Sequence, residues 1–266
     1  MASHYPFHRR LRNPLRRRTD VQQRRFRRGV YILPSLFTLA NMFCGYACVI
    51  YAMRGEYEKA APFIGIAIVL DILDGRIARM TGTTSDFGLQ FDSLADVISF
   101  GMAPAILSFQ WGLASLGRLG WGAAFLFVTA AALRLARFNI QAPTSDKRYF
   151  VGMPSPAAAG IPAATVFLYP YGLHDRNEAL PALAMVIVPA LLMVSTIRFR
   201  SFKSIGAQTR RPYRVLILFA AFIALLVTHP QWMLVALAYG YLLSAFIGLA
   251  WSRFRRRPAH EPRAQD

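Results

Sequence analysis

Apolar runs of about 20 residues, long enough for an α-helix to cross a bilayer, recur from one end of this chain to the other. With 55% hydrophobic and only 17% charged residues, the 266-residue sequence reads as a polytopic, all-α membrane helical bundle. Eight spans are expected, near 32–53, 60–80, 88–113, 119–138, 155–172, 179–198, 212–228 and 231–251. The seventh run is short, and the fifth and eighth are interrupted by polar or small residues, so six to eight spans fit the pattern. The expected organisation is a basic arm over 1–31, a membrane domain over 32–251 and a basic tail over 252–266, with no internal repeat.

Orientation follows from the basic residues. With the ten arginines of 1–31 in the cytoplasm, only Arg54, Lys59, Arg118 and Arg176 of the 31 Lys and Arg residues fall on the other face. This positive-inside pattern predicts cytoplasmic N- and C-termini, in the inner (cell) membrane of a bacterium. A net charge of +18 would suit nucleic acid if it formed one stripe on a soluble fold. Here the charges alternate with spans, so anionic lipid headgroups are the expected partner and nucleic acid is not. The arginine-rich start lacks a short apolar core followed by a cleavage site, so no removable signal peptide is expected. Asp20 is the only acid before the first span, so composition alone leaves a transit peptide open. Cys44 and Cys48 read as small packing residues within a span.

Within this apolar background four aspartates stand as Asp71-x2-Asp74-Gly75-x2-Ala78-Arg79-x8-Gly88-x3-Asp92-x3-Asp96. Charge at membrane depth is costly and tends to mark chemistry or transport. Residues three or four apart share a helix face, so Asp71, Asp74, Gly75, Ala78 and Arg79 line one side of the second span. Gly88, Asp92 and Asp96, extended by Ser99, line one side of the third. The link between them ends in Ser85 or Asp86, either of which can cap the next helix and turn the two carboxylate faces together. Clustered carboxylates repel unless cations lie between them, and hard oxygen donors suit Mg²⁺ or Mn²⁺, with four enough for two ions. Gly75 and Gly88 leave room for a pyrophosphate to approach backbone, and Arg79 offers a fork for a phosphate. All five histidines lie outside the motif, so a general base here would be a carboxylate. Cation transport through the same aspartates is the alternative of a different class, although transporters more often spread their charges over several spans.

The spacing D-x2-D-G-x2-A-R-x8-G-x3-D-x3-D resembles the signature of the CDP-alcohol phosphatidyltransferases, matching at all eight positions. The resemblance implies an all-helical membrane enzyme that moves a phosphatidyl group from a CDP-linked lipid to an alcohol and releases CMP. It also implies divalent metals on Asp71, Asp74, Asp92 and Asp96, with Asp96 as base. Leu33–Asn41, Phe91–Gly101, Arg134–Asn139 and Gly152–Gly160 resemble the branch of the family that uses L-serine. The expected substrates are therefore CDP-diacylglycerol and L-serine, and the expected assembly is a homodimer among membrane lipids. The nearest alternative is the same reaction with glycerol 3-phosphate, inositol or choline.

Four further readings concern polar residues outside the motif. Thr38 and Asn41 share a face of the first span and either touch the nucleotide of the CDP-lipid or hydrogen-bond between helices. Arg134, Arg137 and Asn139 end the fourth span, where the arginines either anchor its cytoplasmic end, which leaves Asn139 unexplained, or pair with the carboxylate of serine or a lipid phosphate. Ser155, between two prolines, either contacts the acceptor or belongs to a rigid start of the fifth span. Lys203 and Arg211 are either phosphate contacts or part of a solvated loop.

Overall fold

The computed structural model describes residues 35–82, 85–141, 149–196, 198–200 and 212–254. The basic arm, most of the basic tail, and Lys203 and Arg211 lie outside them. The first helices are α1 (Ser35–Met53), α2 (Tyr57–Thr81) and α3 (Asp86–Asp96). A π-helical turn (Val97–Met102) joins α3 to α4 (Ala103–Trp111). Then come α5 (Arg118–Gln141), α6 (Ser155–Leu168), α7 (Arg176–Val194), α8 (Pro212–Thr228) and α9 (Pro230–Phe254).

Among the described residues, four helical stretches are long and apolar enough to cross a membrane: Ser35–Met53, Asp86–Trp111, Arg118–Ile140 and Arg176–Val194. A fifth arises if Ala220–Thr228 and Pro230–Ser244, which meet at 118°, are taken as one broken span. This is an integral membrane protein with several apolar helices. The shortfall from eight has local causes. Helix α2 has 25 residues but carries Glu58, Lys59, Asp71, Asp74, Arg76 and Arg79. Helix α6 has 14 residues and stops at Leu168, well short of 172, because Tyr169 precedes Pro170 and leaves the helical region at φ −128°, ψ 79°.

One departure from all-α is small. Tyr149–Val151 (β1) pairs antiparallel with Arg198–Arg200 (β2), Phe150 opposite Phe199. The pair ties the chain before α6 to the chain after α7. Beside it the Met153 N–H donates to the Leu192 carbonyl at 3.0 Å. Gly152 sits at φ 82° with its Cα so close to the Met193 carbonyl that a Cβ would collide with that oxygen. Both the backbone conformation and the space demand glycine there.

The interior is packed from small residues and a few large ones, including Phe100, Phe127, Ile64, Leu107 and Ile161, while Phe43, Trp121 and Phe125 face outward. In lipid there is no hydrophobic gain from bringing helices together, so close backbone approach carries the packing. Gly45 of α1 shows this most clearly: a Cβ there would lie 2.7 Å from Ser99 Oγ and 2.8 Å from Ser99 Cα in the π turn. That contact holds α1 against the wall on which the last aspartates stand.

Candidate active site

The α2–α3 reversal is built by two caps. Gly82 ends α2 in the left-handed conformation at φ 63°, and the Ser85 hydroxyl accepts from the Gly88 N–H at 3.0 Å to start α3. Of the two caps the sequence allows, the structure uses Ser85. The antiparallel helices then place Asp71, Asp74 and Asp92 so that one carboxylate oxygen from each lies within 4.8 Å of the others. At that separation, with an effective dielectric of about 20, two ionised carboxylates repel by roughly 3 kcal/mol.

Asp96 is not part of this triplet. It stands one turn further along α3, buried, with Oδ1 accepting from Asn41 Nδ2 at 3.3 Å. The expected four-carboxylate cluster is thus three plus one. The π turn begins immediately after Asp96, and such turns often accompany functional sites because they re-aim the side chains around them. Ser99 within it donates to the Asn41 carbonyl at 2.9 Å. Asn41 is therefore held by its backbone while its side chain holds Asp96.

Thr38, one turn earlier on α1, donates to Asp74 Oδ2 at 2.9 Å. Of the two readings left open for Thr38 and Asn41, the structure displays the interhelical hydrogen bond in both cases, and the acceptors are the motif's own aspartates. Gly75 lies under Arg79, whose guanidinium nitrogens would be 3.6 and 3.8 Å from a Cβ at that position. Ala78 is half-buried on the same face, and Arg79 itself is exposed.

The arginine side of the site comes from α5 and α6. Arg134 Nη1 donates to the buried Ser155 Oγ at 2.6 Å, and the guanidinium lies within electrostatic reach of Asp96, Asp71 and the Tyr241 hydroxyl. Arg134 and Ser155 thus stand together beside the carboxylates. Asn139 is directed elsewhere, with Nδ2 donating to Ser93 Oγ at 2.9 Å. Arg137 reaches the Val194 carbonyl at 3.5 Å and so braces α5 against α7. Sequence reasoning does not single out Ser93 or Tyr241. Ser93 adjoins Asp92 in the motif, whereas Tyr241 lies in the last helix, where no pattern marks it.

The donor set fits a divalent cation. Among the described residues none of the four aspartates forms an ion pair, the one such pair being Lys59 with Glu56. Asp92 Oδ1 is buried without a hydrogen-bond partner, as is Asn41 Oδ1. A buried carboxylate oxygen with no donor is costly in a folded chain, and a hard cation at the centre of the triplet would satisfy it.

Comparison with known proteins agrees with this chemistry. The family model described as CDP-alcohol phosphatidyltransferase matches residues 31–196. A CDP-diacylglycerol–serine O-phosphatidyltransferase of Helicobacter pylori (strain ATCC 700392 / 26695) is 38% identical over 221 residues, covering 83% of this chain and 88% of that one. The protein of the same name from Bacillus subtilis (strain 168) is 32% identical over 176 residues, 66% of this chain and 94% of the relative. An archaetidylserine synthase of Methanothermobacter thermautotrophicus is 34% identical over 179 residues, 66% of this chain and 73% of the relative. With a matching signature, three carboxylates gathered at its centre and relatives that span most of its length, the chain belongs to the CDP-alcohol phosphatidyltransferase family.

Proposed function

We infer that this enzyme transfers the phosphatidyl group of CDP-diacylglycerol to L-serine, giving phosphatidylserine and CMP. Similarity over 83% of the chain to a serine-using relative carries the choice of acceptor. The observation that carries the chemistry is the triplet Asp71, Asp74 and Asp92, with its unpaired Asp92 oxygen.

In this reading Asp71, Asp74 and Asp92 hold Mg²⁺ or Mn²⁺, in a two-ion site if Asp96 shares a ligand position. A metal held there would neutralise the charge of the pyrophosphate. Thr38 fixes the rotamer of Asp74 and so pre-positions one ligand. Gly75, Ala78, Arg79 and Gly88 form the surface against which the CDP moiety rests. Asp96, set apart from the triplet and aimed by Asn41, takes the proton from the serine hydroxyl. That oxygen bonds to the lipid-linked phosphorus as the bond from phosphorus to the CMP oxygen breaks, and CMP leaves. Arg134, held by Ser155, receives the serine carboxylate, while Asn139 and Arg137 steady the end of α5. Positioning and charge neutralisation supply most of the rate enhancement, as in other phosphoryl transfers.

The positive-inside pattern supports a cytoplasmic site with both termini on that side; a membrane domain over 32–251 and a homodimer in a bacterial inner membrane complete the reading. A cysteine introduced at Asp86 should then be labelled from the cytoplasmic face and one at Asn177 from the opposite face. Labelling of both from one side would overturn the orientation. For the activity, purified protein is given CDP-diacylglycerol, Mg²⁺ or Mn²⁺, and serine, inositol, choline or glycerol 3-phosphate in turn. CMP release should depend on serine. Release with glycerol 3-phosphate but not serine would assign another acceptor.

A further inference from the structure

Helix α5 sends Arg134 and Asn139 in different directions. Arg134 turns to Ser155, whereas Asn139 turns to Ser93 of α3, the residue beside Asp92. The Ser93 hydroxyl is used twice: its proton goes to the Leu89 carbonyl at 3.0 Å, and its oxygen accepts from Asn139 Nδ2 at 2.9 Å. A hydroxyl has one donor and two acceptor lone pairs, so both bonds form at once. Helix α3 has little burial of its own to fix its rotation. Its buried residues are Ala95 and Asp96, both in the last turn. Everything from Asp86 to Leu94, Asp92 included, is exposed or half-buried. The run from α3 through the π turn into α4 meets α5 at two levels. At one, Gly101 comes so close that a Cβ there would lie 3.2 Å from the Ala131 Cβ. At the other stands the Ser93–Asn139 bond. The two levels are eight residues apart on both sides (93 to 101, 131 to 139), about 12 Å at about 1.5 Å per residue.

We propose that Ser93 and Asn139 are a positioning pair for the carboxylate triplet: the bond between them locks α3 against rolling and so keeps Asp92 in register with Asp71 and Asp74. The proposal rests on the reading of that triplet as the metal site given above. Packing at Gly101 and the bond from Asn41 to Asp96 hold the C-terminal end of α3, and the Asn139 amide holds the stretch that carries Asp92. A carboxylate oxygen about 5 to 6 Å from a helix axis moves about 1 Å when the helix rolls by about 10°. Mg²⁺ binds oxygen at about 2.0 to 2.1 Å in near-octahedral geometry, so a displacement of that size takes a ligand out of place. Asp74 has a donor of its own in Thr38, whereas Asp92 Oδ1 has none. Asp92 therefore depends on where α3 puts it. This separates Asn139 from the acceptor: it serves the metal ligands, and recognition of serine stays with Arg134.

The test reads metal binding directly. The purified full chain in detergent is stripped with EDTA, freed of chelator and titrated with Mn²⁺ alone, and free Mn²⁺ is followed by its EPR signal. Asn139→Ala and Ser93→Ala should each raise the Kd for Mn²⁺ at least about tenfold, the usual cost of losing a partner behind a metal ligand. The double variant should bind no more weakly than the weaker single, because the same bond is lost in all three. Ser93→Thr keeps the hydroxyl and should bind like the parent. Thr165→Val removes an interhelical bond elsewhere, between Thr165 Oγ1 and Tyr239 Oη at 2.8 Å, and should leave Mn²⁺ binding unchanged. In CMP release by Asn139→Ala, the half-saturating Mg²⁺ concentration should rise by the same factor as the Kd. A Kd within twofold of the parent in Asn139→Ala overturns the proposal. Equal weakening in Thr165→Val also overturns it, since the effect would then be a general loosening of the bundle. If Asn139→Ala yields no folded protein, Ser93→Ala is judged by the same limit. A parent that binds no Mn²⁺ sinks the metal reading and this inference with it, whereas a parent that binds Mn²⁺ no better than the variants sinks the inference alone.

Discussion

The two sides of the site are finished to different degrees. On the arginine side the polar groups already have partners: Arg134 has Ser155, Asn139 has Ser93, and Arg137 has the Val194 carbonyl. On the carboxylate side two donors from α1 reach Asp74 and Asp96, but Asp92 keeps a buried oxygen with no partner and the triplet has no ion pair among the described residues. Satisfied groups hold a shape, whereas unsatisfied ones depend on what binds. The carboxylate side should therefore respond to loss of ligand or charge far more than the arginine side responds to loss of a contact.

The largest effect should come from removing the cation. EDTA should bring CMP release to background, and Mg²⁺ or Mn²⁺ should restore it. Turnover persisting in metal-free buffer would erase the contrast between the two sides. Next comes Asp96→Asn, which keeps the shape and one acceptor oxygen for Asn41 but removes the basic oxygen. Loss of a positioned base costs about 10² to 10⁴ in rate, so kcat should fall by that much while CDP-diacylglycerol still binds with metal. Asp74→Asn should instead weaken metal and donor binding together. Near-normal turnover of Asp96→Asn with serine would move the base to another residue or to water.

A smaller effect is expected on the arginine side. Arg134→Ala removes the charge proposed for the serine carboxylate, an interaction worth roughly 1.5 to 3 kcal/mol. That predicts a rise of about 10- to 100-fold in the KM for serine and little change in the KM for CDP-diacylglycerol. Asn139→Ala should change both by only a few-fold, since its amide serves Ser93. Equal shifts for both substrates in Arg134→Ala would make that residue a brace, like Arg137.

Much of the carboxylate side is legible in the sequence because helical periodicity alone puts i, i+3 and i+4 on one face, and Ser85 marks where the chain turns back. Two features are not legible. The split of Asp96 from the triplet depends on the packing of α1 through Gly45 and Ser99, a contact between residues 54 positions apart. The partners of Arg134 and Asn139 depend equally on which helix lies beside α5. Asn139, grouped by position with Arg134, is directed to Ser93, and no one-dimensional pattern distinguishes the two. The short β pair and the early end of α6 show the same limit from the backbone side, although Pro170 carries a local hint of the second.

The smallest effect addresses the question that the sequence leaves open for Thr38. Its hydroxyl donates to Asp74 Oδ2 at 2.9 Å and it is buried against α2, so it orients the carboxylate of Asp74, the proposed metal ligand. Thr38→Val keeps the branched shape and removes the donor. The carboxylate stays in place but loses one orienting bond, and a bound cation takes over part of that role. A loss of about 1 kcal/mol is expected, close to the net worth of one hydrogen bond. The half-saturating Mg²⁺ concentration should therefore rise about fivefold, with kcat at saturating metal nearly unchanged, and Thr38→Ser should recover most of the difference. A residue that touches the nucleotide would behave differently: competition by free CMP would weaken, and the metal requirement would stay where it was. Measuring Mg²⁺ saturation and CMP inhibition on the same variant separates the two roles. An altered CMP constant with an unaltered Mg²⁺ curve would place Thr38 against the nucleotide rather than behind the metal ligands.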